Sequence, residues 1–506
     1  MSVCTQLLLT IYSVLHPRVV AAGQKIMDVP LVLSDTDAVQ TSEKPRAKKK
    51  RVLALDALRG MTVVNMILVD NAGAAYPAID HSPWNGISLA DATMPMFDFI
   101  VGCSVALAFS KLDKTNAGKR WGALKKAIWR FFKIFVLGVA TQGGVDIFNY
   151  DVEHVRTMGI LQRVAVCYLV AAVVEIYGSS LCCCFAGCRN RNPADSSHAG
   201  VFWLSIHHWA GVVVLSLLWV GIMYGVSVPS DFNEECVPGT FTPACNPQRL
   251  VDAAVLGEGH MYFPSNGGNA AEAGMTFNRM LECSKCAPGL CTAPNGSAVD
   301  YPWCTTAPFD PEGLVSQLTA AAGTLTGVHI GKVLLEFGPE RHRQRLVHWC
   351  AFGAVWLFLG ILFEATEWMP LNTNLFTLSF LLVTSGLGAL LLSFWYVVVD
   401  VLSFDRLASP FIWVGRNAIT IYVGAEAGII QWALSIFYWG KPEKCLSNML
   451  WPGYYWGVSS SLEQRFETPM EHEEKRGLVM AWTLGYICIW VGIAWWMDKR
   501  KIYISI

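Results

Sequence analysis

Ten stretches of mostly apolar residues, each about long enough to cross a bilayer, dominate this chain. They fall at roughly 53–75, 89–110, 127–143, 158–178, 207–227, 313–336, 347–367, 375–398, 411–436 and 478–497. A helix needs about 20 such residues to span a hydrocarbon core of about 30 Å. Inside lipid the backbone must satisfy its own hydrogen bonds, which leaves helices and closed barrels. These runs are continuous and not alternating, so a barrel is excluded. The expectation is an all-α integral membrane protein with about ten transmembrane helices. Composition agrees: 53% of residues are hydrophobic and 15% charged, against roughly 25% charged in soluble domains. So apolar a chain is not intrinsically disordered. The 38 basic and 39 acidic residues nearly cancel, which argues against a nucleic-acid binder.

Lysine and arginine set the orientation, because cytosolic segments collect them. With a cytosolic N-terminus, the cytosolic segments hold 21 basic residues, including Lys48–Arg51, Lys125, Lys126, Arg341 and Lys499–Lys501. The opposite side holds 9, among them Arg156, Arg249 and Arg279. Both termini are therefore expected in the cytosol. The apolar run Leu7–Leu15 is too short to span. Reading residues 1–28 as a signal peptide would send Lys48–Arg51 outside, against the positive-inside rule. Residues 1–51 thus read as a basic, mostly disordered cytosolic tail, and 52–506 as the membrane domain.

Between the fifth and sixth stretches runs a long loop, about 228–312, rich in Gly, Pro and Asn. It carries Cys236, Cys245, Cys283, Cys286, Cys291 and Cys304. Two chemistries compete: a zinc site built on Cys283-x-x-Cys286 with Cys291, or disulfides in an oxidising lumen. The topology places the loop outside the cytosol, which favours disulfides of unreadable connectivity. The Asn295-Gly296-Ser297 sequon in the same loop agrees with a glycosylated lumenal segment. Cys182–Cys184 and Cys188 sit near the cytosolic end of the fourth stretch. They are either palmitoylation sites or reduced thiols.

Ionisable residues inside apolar spans are costly and mark function by default. In the first stretch Asp56 and Arg59 share a helix face, and Asp70 and Asn71 stand near its far end. Then follows His81-Ser82-Pro83-Trp84-Asn85-Gly86, leading into a second stretch that carries Asp91 and Asp98. A spacing of seven puts those two carboxylates on one face. Further in come Arg163, His329, Lys332, Arg416, Asn417 and Glu426. A solute transporter uses such scattered polar groups as a path. A membrane acyltransferase uses them to bring a cytosolic thioester to an acceptor across the bilayer. Composition does not decide between the two.

The motifs go further. Leu55-Asp56-x-x-Arg59-Gly60, the His81–Gly86 segment with Ala90-Asp91, and Pro95-x-Phe97-x-Phe99-Ile100-x-Gly102 open the series. Gly159-Ile160-Leu161-Gln162-Arg163, Asp310-Pro311-Glu312-Gly313-Leu314 and Gly327-Val328-x-x-Gly331-Lys332 follow. Asn372-x-Asn374-Leu375-x-x-Leu378-Ser379 and Tyr422-Val423-Gly424-x-Glu426 complete it. Together, in this order over about 52–506, they resemble the heparan-alpha-glucosaminide N-acetyltransferase family. The resemblance implies a multi-pass lysosomal enzyme, and relatives suggest a homodimer. It takes acetyl from cytosolic acetyl-CoA, with no metal, and delivers it to the terminal glucosamine amine of heparan sulfate in the lumen.

The resemblance places the catalytic histidine at His81. The family's functional asparagine, eleven residues earlier, falls at Asp70, with Asn71 beside it. Asp98 is a second departure, at a position the family usually keeps apolar. On this reading His81 acts as general base or carries the acetyl group itself. Asp70 orients the imidazole, and Asn71 or Asn85 donates to the oxyanion. Trp84, Asn85 and Asp91 contact the acceptor. Arg59, Arg163, Lys332 and Arg416 meet the phosphates of CoA.

Overall fold

The computed structural model describes residues 52–73, 76, 78–82, 84–142, 155–186, 198–229, 236–242, 245–257, 260–261, 309–446 and 469–504. The tail 1–51, the sequon, Cys188, Cys283, Cys286, Cys291 and Cys304 lie outside these residues.

All ten apolar stretches fall on helices. In chain order these are α1 (Leu53–Ala72), α2 (Leu89–Ala108), α3 (Ala117–Gln142), α4 (Ile160–Ala186) and the short α5 (His198–Leu204). Next are α6 (Ile206–Gly225), the loop helix α7 (Pro247–Leu256), α8 (Ser316–Glu336), α9 (His342–Ala365) and α10 (Leu378–Trp395). A π-helical turn, Tyr396–Val401, extends α10. The ninth stretch is broken into α11 (Asp405–Arg416), α12 (Ala418–Glu426) and α13 (Ile429–Ser435). A two-stranded hairpin (β1, Tyr438–Trp439; β2, Lys441–Cys445) and α14 (Pro469–Lys499) complete the chain.

Among the described residues, seven helices are long and apolar enough to cross a membrane, or eight with the bent pair α12–α13. The expected ten adds α1 and α3, which are long enough but charged. In α1 the carboxylate of Asp56 is turned inward and is only 3% exposed. In α3 Lys119, Lys125, Lys126, Arg130 and Lys133 are exposed. The α12–α13 bend of 43° falls at Gly428, whose φ of +60° suits a residue without a Cβ.

Helix α8 is the axle of the bundle, with 83% of its membrane window buried, against 17% for α9 at the rim. Glycines let its neighbours approach backbone to backbone, a common device for packing helices in lipid. A Cβ on Gly102 of α2 would lie 1.9 Å from the carbonyl oxygen of Thr324 in α8. Helices α1 and α11 cross the same way, a Cβ on Gly415 meeting the Asp56 carbonyl oxygen at 1.8 Å. These two crossings position the ends of the candidate site. In the large loop Cys236 and Cys245 are disulfide-bonded, one pairing of the set expected there.

Candidate active site

His81 sits in the irregular segment between α1 and α2, and the start of α2 holds it. Ser88 caps that helix: its hydroxyl accepts from the Asp91 amide, and the Asp91 Oδ2 accepts from the Ser88 amide at 2.9 Å. Such a capping box fixes the first turn of a helix. It also aims the other Asp91 oxygen. Oδ1 meets His81 Nδ1 at 2.8 Å, and Oδ2 accepts a second backbone amide, that of Ser82, at 3.1 Å. The Asp91 side chain is 1% exposed, while the imidazole is 35% exposed. A buried carboxylate at Nδ1 favours the tautomer with the proton there. Nε2 is then left as an acceptor on the open side of the ring.

Asp91 therefore orients the imidazole, a role the sequence had given to Asp70. Asp70 is joined instead to Glu426 by a side-chain hydrogen bond, with Asp80 within electrostatic reach. Asn71 donates to the Ile67 carbonyl of its own helix at 2.7 Å. Asn85 and Asn372 form an isolated bridge, the Asn372 amide donating to Asn85 Oδ1 at 3.1 Å. Trp84 anchors the segment: it is 6% exposed, donates Nε1–H to the Phe241 carbonyl at 2.6 Å, and packs edge-on against Phe309. Its indole edge is thus committed to the protein.

The segment 310–316 closes the site from the loop side. Arg156 pairs with both Asp310 (Nη2 to Oδ1, 2.7 Å) and Glu312. Arg163 donates to the Pro311 carbonyl and to Ser316 Oγ, both at 2.6 Å, with its guanidinium over the Phe376 ring. Glu312 lies within electrostatic reach of His81. Tyr422 senses Glu426, Asp70, Glu312 and Arg156 together. Asp98 is 1% exposed, its carboxylate oxygens make no hydrogen bond, and Arg163 is the cation acting on it. Near the turn, Asp252 accepts from the Val315 amide, and burial pushes its carboxyl up to about 7.

The four basic residues expected at CoA phosphates separate into two pairs. Arg163 and Lys332 are 2% and 3% exposed, and both are spent on the protein. Lys332 pairs with Glu175 at 3.1 Å and donates to the Leu204 carbonyl at 3.2 Å. Arg59 and Arg416 are 26% and 24% exposed at the side chain. Arg59 donates to Ser104 Oγ at 2.8 Å and contacts Asp56 and the Gly415 carbonyl at 3.4 Å. Arg416 pairs with Asp498 at 2.7 Å and also feels Asp56. The two arginines thus gather at the α1–α11 crossing. Arg59 precedes Asp70 by eleven residues on α1, about 16 Å along the axis.

One group among the described residues has the geometry to share a metal ion: donor atoms of Glu175, His207 and His208 lie within 4.8 Å of one another. The ammonium groups of Lys114 and Lys332 already flank that carboxylate, at 2.6 and 3.1 Å.

Reasoning from the sequence singled out His81 and Asp91 but did not link them. It missed Arg156, Asn372 and the Asp70–Glu426 pair as members of the site. Asn372 and Glu426 lie in the motifs that carry the resemblance, whereas Arg156 stands in the sequence as an isolated cation on the expected lumenal side.

This arrangement defines a multi-pass helical membrane protein with a carboxylate-oriented histidine at a helix start and an arginine pair some turns away. Residues 51–190 match the family described as heparan-alpha-glucosaminide N-acetyltransferase, catalytic. The human protein named heparan-alpha-glucosaminide N-acetyltransferase is 27% identical over 413 residues, covering 78% of this chain and 55% of the relative. The mouse protein of the same name is 26% identical over 404 residues, covering 76% and 54%. The chain spans about half the length of these curated relatives. The chain is similar to the heparan-alpha-glucosaminide N-acetyltransferase family.

Proposed function

We propose that the protein is a transmembrane N-acetyltransferase. It moves acetyl from cytosolic acetyl-CoA to a lumenal glucosamine-type amine, as on the terminal sugar of heparan sulfate. The His81–Asp91 pair carries this reading. Aminolysis of a thioester needs a base for the acceptor's proton and a donor for the tetrahedral oxygen. With Asp91 holding Nδ1–H, His81 Nε2 takes a proton from the acceptor's ammonium, and the free amine attacks the thioester carbonyl. Asp91 stabilises the imidazolium, which protonates the CoA thiolate as the C–S bond breaks, and the amine's second proton passes to water. Asn85, held by Asn372, lies four residues from His81 and serves as the oxyanion donor. Glu312 and the Asp70–Glu426 pair supply negative charge that attracts a protonated amino sugar.

Arg59 and Arg416 meet the CoA phosphates at the other end, and their partial exposure supports this role. The pantetheine arm of CoA then extends along the bundle interior and brings the intact thioester to His81. The family names support an acetyl-CoA donor and an amino-sugar acceptor. The loop disulfide and the sequon support an endomembrane lumen, and the lysosome is the proposed compartment. A small-solute transporter, the other class open from composition, has no reason to bind acetyl-CoA.

The test uses proteoliposomes containing wild type or His81→Ala. Labelled acetyl-CoA is supplied on the cytosolic face and glucosamine on the other. Formation of N-acetylglucosamine by wild type and its loss in the variant are expected. Absence of acetyl-CoA binding by the wild type overturns the proposal.

A further inference from the structure

Helix α3 bears six cations, Lys119, Arg120, Lys125, Lys126, Arg130 and Lys133, and no carboxylate. Its surface divides into three faces. Ala127 and Ile134, 0% and 4% exposed, pack inward. Trp121, Trp129, Phe132 and Val136, at 53%, 66%, 51% and 63%, form an exposed apolar stripe. Lys119, Lys126, Arg130 and Lys133 line the third face. At 100° per residue their positions fall within a sector of about 60°.

Depth makes this basic face unusual. The uncharged remainder of α3, residues 134–142, is about 14 Å long, under half of a hydrocarbon core. If α3 crosses, Arg130 and Lys133 enter the hydrocarbon region. Phe132 and Val136 flank Lys133 and are exposed, so the cation is set in apolar surface at that level of the helix. Among the described residues no carboxylate pairs with Lys126, Arg130 or Lys133, whereas Lys119 reaches Asp113 at 3.2 Å. The guanidinium of Arg130 lies over the Tyr168 ring of α4, 4.8 Å from its centroid, which holds it beside the stripe. Unpaired cations at such depth are costly without an anion.

We propose that this face binds the headgroup of an inositol phospholipid carrying at least one phosphomonoester. The lipid comes from the leaflet that receives the N-terminal half of α3, the cytosolic one on the positive-inside count. A single phosphodiester satisfies one or two of these cations. A stripe from Lys126 to Lys133, about 10 Å long, fits a headgroup with more than one phosphate. The acyl chains then lie along Trp129, Phe132 and Val136. The site is separate from the His81–Asp91 pair and does not rest on the acetyl-transfer reading.

The full chain in phosphatidylcholine nanodiscs is titrated with fluorescent-tailed phosphatidylinositol 4-phosphate, and energy transfer from tryptophan is followed. Saturable binding by wild type is expected, with phosphatidylinositol and phosphatidylserine weaker. The triple variant Lys126→Gln, Arg130→Gln, Lys133→Gln is expected to bind at least about tenfold more weakly. A control with the same loss of charge, Lys111→Gln, Lys125→Gln, Arg343→Gln, keeps its affinity. Equal losses in both triples overturn the site in favour of a general field, as does unchanged binding by the stripe variant. If the triple does not fold, Lys133→Gln alone, checked by gel filtration, carries the same comparison.

Discussion

Replacing Asp91 by asparagine keeps the size of the side chain and removes its charge. The carboxylate now serves three donors: His81 Nδ1 at 2.8 Å, the Ser82 amide at 3.1 Å and the Ser88 amide at 2.9 Å. An asparagine whose oxygen stays on the two backbone amides turns its NH2 toward the imidazole. His81 must then accept at Nδ1 and carry its proton on Nε2, where it can no longer act as base. Losing a hydrogen bond to a charged group costs about 1.5–3 kcal/mol, or roughly 10- to 150-fold in rate. The wrong tautomer adds to this, and in a serine-protease triad the same change costs about 10⁴ in kcat. For Asp91→Asn we expect kcat to fall by about 10²–10⁴, with KM moving less than about threefold. The assay is single-turnover and steady-state acetyl transfer in proteoliposomes, with thermal unfolding measured in parallel. Activity within about threefold of wild type refutes the orienting role. So does a loss no larger than the loss of folded protein, because the backbone amides keep their acceptor in this variant.

Three further outcomes follow from the same geometry. Burial raises the Asp252 carboxyl to about 7, above its ordinary value near 3.9. The contribution of Asp252 to stability is therefore greatest below about pH 4, falls as pH rises toward about 7, and is flat above; Asp252→Asn removes that part of the slope in thermal melts recorded against pH. Arg59→Gln and Arg416→Gln each weaken acetyl-CoA binding by about tenfold in calorimetry, the scale of one exposed arginine–phosphate contact. Arg163→Gln instead removes the clamp on Pro311 and Ser316; it lowers the melting temperature by several degrees and leaves acetyl-CoA affinity in the folded fraction unchanged.

The helices were legible because their signal is local. A run of about 20 apolar residues is a complete instruction in lipid, and every one of the ten runs lies on a helix. The break in the ninth was visible too, in the polar residues Arg416, Asn417 and Glu426 that interrupt it. The inward turn of α1 was less so. Whether Asp56 faces lipid or protein depends on Gly60 and Gly415 meeting a partner backbone more than 300 residues away, and no local pattern reports that crossing.

The site shows the same division. His81 and Asp91 are ten residues apart, and the segment between them was singled out, yet the sequence assigned the orienting carboxylate to Asp70. Both are aspartates near a helix end, and chain distance favours neither. The capping box decides it, because Ser88 binding Asp91 fixes one oxygen at the helix start and leaves the other facing back along the incoming chain. The pattern Ser88-x-x-Asp91 is itself a sequence signal for such a cap. It was sufficient to predict a carboxylate turned toward residues just before α2. The basic residues divide on a different physical ground. Buried Arg163 and Lys332 are held by the protein, through Pro311 and Ser316 for the first and Leu204 and Glu175 for the second. Arg59 and Arg416 stay partly open at the side chain, and that exposure is the ground for proposing them at a ligand's phosphates. Burial cannot be read from residue type, so a list of intramembrane cations mixes structural clamps with binding groups until the packing sorts them.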